Sequence, residues 1–180
     1  MPSPKTHTAL LGLAFLFFLL LSYIENTLFF QTISGEIISN NLLFFVMLFT
    51  HNVLAVSLIL LGMTFYVNLV VSNFFKREKY ANIVLEHPRI FALVFALIIV
   101  VLSILRGSSL LGGINIEALP LILLVSAPVG IIEGYGIYLT IKKTLSQNMS
   151  MKDLTYIYGI FFIAALMEVA FINLLISIAV

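Results

Sequence analysis

The chain has 180 residues, 62% of them hydrophobic and 9% charged, with a formal net charge of +1 and no cysteine. An ordinary soluble domain is about 25% charged, so these residues cannot cover a water-facing globule, and a near-neutral charge offers nothing to nucleic acid. The lack of cysteine excludes disulfides, a thiol nucleophile and thiolate metal sites.

The pattern predicts an all-α, polytopic transmembrane helix bundle. It reads as a single integral membrane domain over 1–180, with about five spans at about 9–24, 42–71, 90–105, 119–141 and 156–180. A span takes about 20 apolar residues. In the first run, Lys5 supplies a weak positive flank, but the exit Leu21-Ser22-Tyr23-Ile24-Glu25 has no small-residue cleavage site. That run is therefore expected to be a retained helix rather than a signal peptide.

Thr50-His51-Asn52 interrupts the second run. His51, Ala55 and Gly62 fall on one face at helical spacing, which sets a polar head above a small-residue groove for helix packing. The basic loop that follows, 73–89, is either a short interfacial helix with its aromatic residues toward lipid or a plain positively charged loop.

The fourth run holds the sharpest pattern, Ala127-Pro128-Val129-Gly130-Ile131-Ile132-Glu133-Gly134-Tyr135-Gly136. Pro128 lacks a backbone donor and clashes with the preceding turn, so a broken or kinked helix is expected. Gly130 and Gly134 form a small-xxx-small pair that lets a second backbone approach, with Gly136 adding further relief. A charge at this depth costs about 2.5–3.5 kcal/mol on insertion scales, so Glu133 must be sheltered by protein, neutral or beside water. Two readings stand: a packing helix whose Glu133 is hydrogen-bonded to a neighbour, or a polar site for a proton, cation or partner. The expected contact is between the Thr50-His51-Asn52 turn and the Gly130–Glu133 segment; the alternative is that His51 and Asn52 bond separately to backbone.

Glu168 is a second carboxyl group, midway along the fifth run. It can face Glu133, Asn68 or a second copy of the chain; facing Glu133, it would complete an intramembrane polar site of His51, Asn52, Pro128, Gly130, Glu133 and Glu168. Two carboxyl groups in one low-dielectric site do not both ionise easily, which suits proton or cation binding, or equally a hydrogen-bonded helix contact. Alternate sides of a five-span arrangement hold eight and one of the nine basic residues. This asymmetry puts the N-terminus inside and the C-terminus outside.

Together, Thr50-His51-Asn52-Val53-Leu54-Ala55 and Ala127-Pro128-Val129-Gly130-Ile131-Ile132-Glu133 resemble the stage II sporulation protein M family of multi-span membrane proteins. That family shows an Asn-containing turn early in one helix and Pro-His-Gly-x-x-Glu on a later one. Asn52 matches the first feature, and Pro128, Gly130 and Glu133 match the second; Val129 stands where the family has His. The resemblance implies a membrane subunit of five or six helices that works beside partner proteins and has no hydrolytic activity of its own.

The expected function is thus a non-catalytic assembly or scaffold subunit of the cell membrane. Its partners would be the lipid bilayer and further copies or other membrane proteins, joined through polar and small-residue helix faces. The alternative is a small proton- or cation-coupled transporter or channel subunit using Glu133, because a Pro/Gly break beside a carboxyl group suits a transport site. No Gly-x-Ser-x-Gly or His-Glu-x-x-His pattern occurs, so no enzyme is expected. His7 is expected in the N-terminal tail and His87 in the loop before Pro88, so neither readily joins His51 as a ligand, and neither metal nor cofactor is expected.

Overall fold

The computed structural model describes the backbone at residues 4–32, 40–72, 74, 82–110 and 119–179. Side chains at 4–5, 26, 29–32, 103–110, 119–126 and 174–179 lie outside that description. Among the residues on which the orientation argument rests, Lys76, Arg77 and Lys79, with the side chains of Lys5 and Arg106, fall outside it, as do Phe75 and Tyr80 of the basic loop.

All described secondary structure is helical: α1 (Pro4–Thr32), α2 (Asn41–Val71), α3 (Ile83–Glu86), α4 (Pro88–Leu110), α5 (Leu119–Leu145) and α6 (Met151–Ala179). Among the described residues, three helices are long and apolar enough to cross a membrane, over Thr6–Glu25 in α1, Asn41–Val71 and Met151–Asn173. Several helices outrun their apolar runs, because capping and helix-breaking residues set their ends. Pro4 and Pro88 occupy first helical positions, where proline's fixed φ suits the helix and its missing donor is not needed. No Gly or Pro lies between Leu13 and Thr32, so α1 continues past the end of its apolar run and takes Glu25 into the helix. Asn40 caps α2 by accepting the Leu43 N–H at 3.2 Å. Ser150 caps α6: its Oγ accepts the Asp153 N–H at 3.2 Å, while Asp153 Oδ2 accepts the Ser150 N–H at 2.9 Å. This reciprocal pair matches the capping-box pattern and starts the helix before its apolar run begins.

α5 continues as one helix through Pro128, so of the expected break or kink the break does not occur. Proline removes a single intrahelical bond, and tertiary packing on the following turns carries the helix across. Val129 is buried, and Gly134 and Gly136 each sit against a neighbouring helix.

α2, α5 and α6 pack mutually, α1 lies on α2, and α4 lies on α5. The main core joins Val56 and Val67 of α2, Ala92 and Ala96 of α4, Ile137, Ile141 and Leu145 of α5, and Ile157 and Phe161 of α6. A second cluster gathers Phe44, Leu48 and Ala165. Side-chain pairs fix the directions. Asn41–Asn173 and Ser57–Tyr158 make α2 and α6 antiparallel, and Gly136–Phe161 with Lys143–Asp153 make α5 and α6 antiparallel. α2 and α5 are therefore parallel.

Candidate functional site

Asn52 lies on the face of α2 that carries Phe44, Leu48 and Val56, at four-residue intervals that return to the same side of a helix. All four are buried, Asn52 to 8% exposure. Leu48 and Val56 sit one turn to either side and belong to the two apolar clusters, so the amide is closed off from water along its own helix. Its Nδ2 donates to Glu133 Oε1 of α5 at 3.0 Å. The expected contact between the two segments is therefore made, and Asn52 makes it.

His51 makes a polar contact of its own on another side of α2. Adjacent helical residues point about 100° apart, so His51 faces α1, where its Nδ1 lies 3.0 Å from Glu25 Oε2. The expected polar site thus divides in two: Asn52 with Glu133 inside the α2–α5–α6 core, and His51 with Glu25 on the α1 side. Glu25 was missed in the sequence because it follows the apolar run and reads as loop. Its place in an uninterrupted helical stretch is the signal that could have found it.

Glu168 of α6 lies within about one helical turn of the level of Glu133. The register explains the proximity. Gly136 meets Phe161, so Ala164 lies level with Glu133, and Glu168 lies one turn beyond it, about 6 Å along the axis. Ala164 and Ala165 are both fully buried, and their small side chains let α6 run close past that level. Glu133 and Glu168 are half-buried. No group of three or more metal-ligating side chains occurs among the described residues.

The glycines divide between neighbours. A Cβ on Gly134 would come 2.9 Å from Val100 Cγ2 of α4, with Gly130 in ordinary contact with the same side chain at 3.8 Å. The small-xxx-small pair therefore receives α4. A Cβ on Gly136 would meet Phe161 Cε2 at 2.7 Å, so that glycine receives α6. On α2, the face bearing His51, Ala55 and Gly62 receives α1. Phe15 seats on Gly62 while Phe65 seats on Gly12, with hypothetical Cβ contacts of 3.0 and 3.1 Å. The two rings stack at 6.4 Å. Gly12-Leu13-Ala14-Phe15 and Gly62-Met63-Thr64-Phe65 thus interlock reciprocally, a repeat of Gly-x-x-Phe visible in the sequence but not singled out there. Two more polar links tie α2 to α6: Asn173 Nδ2 donates to Asn41 Oδ1 at 3.0 Å, and the Ser57 and Tyr158 hydroxyls lie 2.8 Å apart.

Chemically, the centre offers one amide donor, two neighbouring carboxyl groups and closely packed apolar walls. It can hold helices together, or hold and exchange a proton. Compared with protein-family models, curated proteins and solved structures, the chain matches none.

Proposed function

We propose that the chain is a multi-pass protein of the cell membrane with about five spans, its N-terminus inside and its C-terminus outside. It serves as a non-catalytic assembly subunit, in the manner of the stage II sporulation protein M family that it resembles. In this reading α4 and α5 supply the remaining two spans. Their 23 and 27 residues give lengths of about 34 and 40 Å, against a hydrocarbon core of about 30 Å.

The observation that carries the reading is the use of polar side chains between helices. Asn52–Glu133, His51–Glu25, Asn41–Asn173 and Ser57–Tyr158 each join two different helices. Such links set helix rotation and register where lipid offers no hydrophobic drive for association. The test is purification from native membranes after mild crosslinking. Defined partners or further copies should co-migrate with the wild type and be lost in Glu133→Leu. Unaltered assembly in both Glu133→Leu and His51→Leu would overturn the reading.

A second reading, proton- or cation-coupled transport, is favoured by the α5–α6 register, which sets Glu168 about one turn from the level of Glu133. Its test is flux through the pure protein in vesicles under a pH gradient or a monovalent-cation gradient. Glu133→Gln should abolish flux if Glu133 is a carrier, whereas flux unchanged in Glu133→Gln removes this reading.

A further inference from the structure

Lys143 Nζ and Asp153 Oδ1 meet at 3.1 Å across the seam between α5 and α6. That pair fixes which way the neighbouring lysines turn. Successive helical residues are about 100° apart, and the two helices run in opposite directions. Lys142 and Lys152 therefore both swing to the same side of the seam. Glu133, nine residues before Lys142, projects half a turn away, toward α2. The lysines thus lie on the side of the hairpin opposite the bundle core.

The same side carries exposed apolar and aromatic groups: Ile131 and Tyr135 on α5, Tyr156 and Ile163 on α6. Tyr138 is four residues from Lys142 and Tyr156 four residues from Lys152, so each tyrosine lies one turn, about 6 Å, deeper than its lysine. Lys142 Nζ stands 5.5 Å from the Tyr138 ring centre. Lys152 borders a shallow depression with Met151, Thr155 and Tyr156. Below that level Gly159 leaves an opening, since a Cβ there would have nothing within 4 Å. Every other glycine probed is filled by a neighbour, so α6 supplies no internal reason for this one. Lys143 is neutralised by Asp153, while Lys142 and Lys152 have no carboxylate partner among the described residues.

We propose that this outer face of the α5–α6 hairpin binds an anionic phospholipid, with Lys142 and Lys152 holding the headgroup phosphate and one acyl chain lying along the seam past Gly159. The site rests on the reading of α5 and α6 as membrane spans. Charge complementarity selects the occupant: two ammonium groups without a carboxylate partner lie on one side of the seam, tyrosines of the kind that anchor at headgroup depth lie beneath them, and the groove is the opening that Gly159 leaves beside exposed Tyr156 and Ile163. A soluble anion would use the lysines alone and leave the groove unoccupied.

The test is native mass spectrometry of the full chain in detergent, titrated with dioleoyl phosphatidylglycerol, dioleoyl phosphatidylcholine or inorganic phosphate. Phosphatidylglycerol should bind more tightly than phosphatidylcholine, and phosphate should not displace it. Lys142→Gln with Lys152→Gln should weaken phosphatidylglycerol binding about 25-fold, roughly five-fold for each lysine near an anionic surface. Lys143→Gln, which removes an equal charge from the seam, should leave the preference in place. Gly159→Leu should weaken both lipids by filling the groove. Equal binding of the two lipids, displacement by phosphate, or an equal loss in Lys143→Gln would each overturn the site. Carbonate extraction from vesicles separates the two levels of the claim. A chain that inserts but shows no lipid preference removes this site alone, whereas a chain that is extracted removes the membrane reading beneath it.

Discussion

Two glycines give the sharpest test of the packing, because the same substitution should have opposite effects at each. A Cβ at Gly136 would lie 2.7 and 3.0 Å from Phe161 Cε2 and Cζ and 3.3 Å from Ile160 Cγ2. Phe161 and Ile160 are themselves buried, so the ring cannot swing into open space and the overlap must push α5 and α6 apart. Overpacking of this kind costs about 1–3 kcal/mol. At Gly159 a Cβ meets nothing within 4 Å. Alanine gains about 0.5–1 kcal/mol over glycine inside a helix, and that gain is common to both sites. It therefore cancels in the difference between Gly136→Ala and Gly159→Ala, leaving only the overlap of about 1–3 kcal/mol. For a chain of this size the melting temperatures should differ by about 2–12 °C, with Gly159→Ala at or above wild type. Thermal denaturation in detergent, followed by circular dichroism, measures it. A Gly136→Ala protein as stable as Gly159→Ala would show that α5 and α6 do not meet at Phe161, and the register that brings Glu168 to Glu133 would go with it.

Other links have their own signatures. A double-mutant cycle on Asn52→Leu and Glu133→Leu should return a coupling of about 0.6–1.7 kcal/mol, the range of interhelical hydrogen bonds in membranes. Zero coupling in detergent unfolding would break the central contact. The cycle on His51→Leu and Glu25→Leu should give a smaller coupling, about 0.2–1 kcal/mol, that declines as salt is added, because the pair is partly solvated. Gln147 holds φ at 53°, and its N–H and that of Asn148 donate to the Thr144 and Lys143 carbonyls. This is the geometry of a Schellman end, which favours glycine. Gln147→Gly should therefore raise stability by about 1 kcal/mol by relieving the left-handed conformation, and an unchanged denaturation midpoint would contradict it. Ser150→Ala should cost about 0.5–2 kcal/mol at the start of α6 by removing the cap, measured by the same midpoint.

Much of the architecture was legible in the residues alone. An apolar content of 62% with 9% charge leaves helices as the economical way to satisfy backbone groups in a nonpolar setting, and the described secondary structure is wholly helical. The pairing of the Asn52 and Glu133 segments was also foreseeable, because a polar group inside an apolar run must find a partner. Helix ends were read less well. Hydropathy marks where apolar side chains stop, whereas Pro4, Pro88 and the Ser150–Asp153 cap decide where the backbone starts to turn. Of the break or kink expected at Pro128, the break does not occur for a related reason: a local preference worth one hydrogen bond gave way to packing on both sides of the helix.

What the sequence determined by itself is which residues share a face, since 3.6 residues per turn is a property of one helix. It assigned His51, Ala55 and Gly62 to one side of α2. Only the tertiary structure decided what each face meets. His51 went to Glu25 rather than Glu133, Gly62 took Phe15, Gly134 took Val100, and Gly136 took Phe161. The physical reason is that rotation and register between two helices arise from their mutual fit, a property of pairs that neither apolar pattern contains.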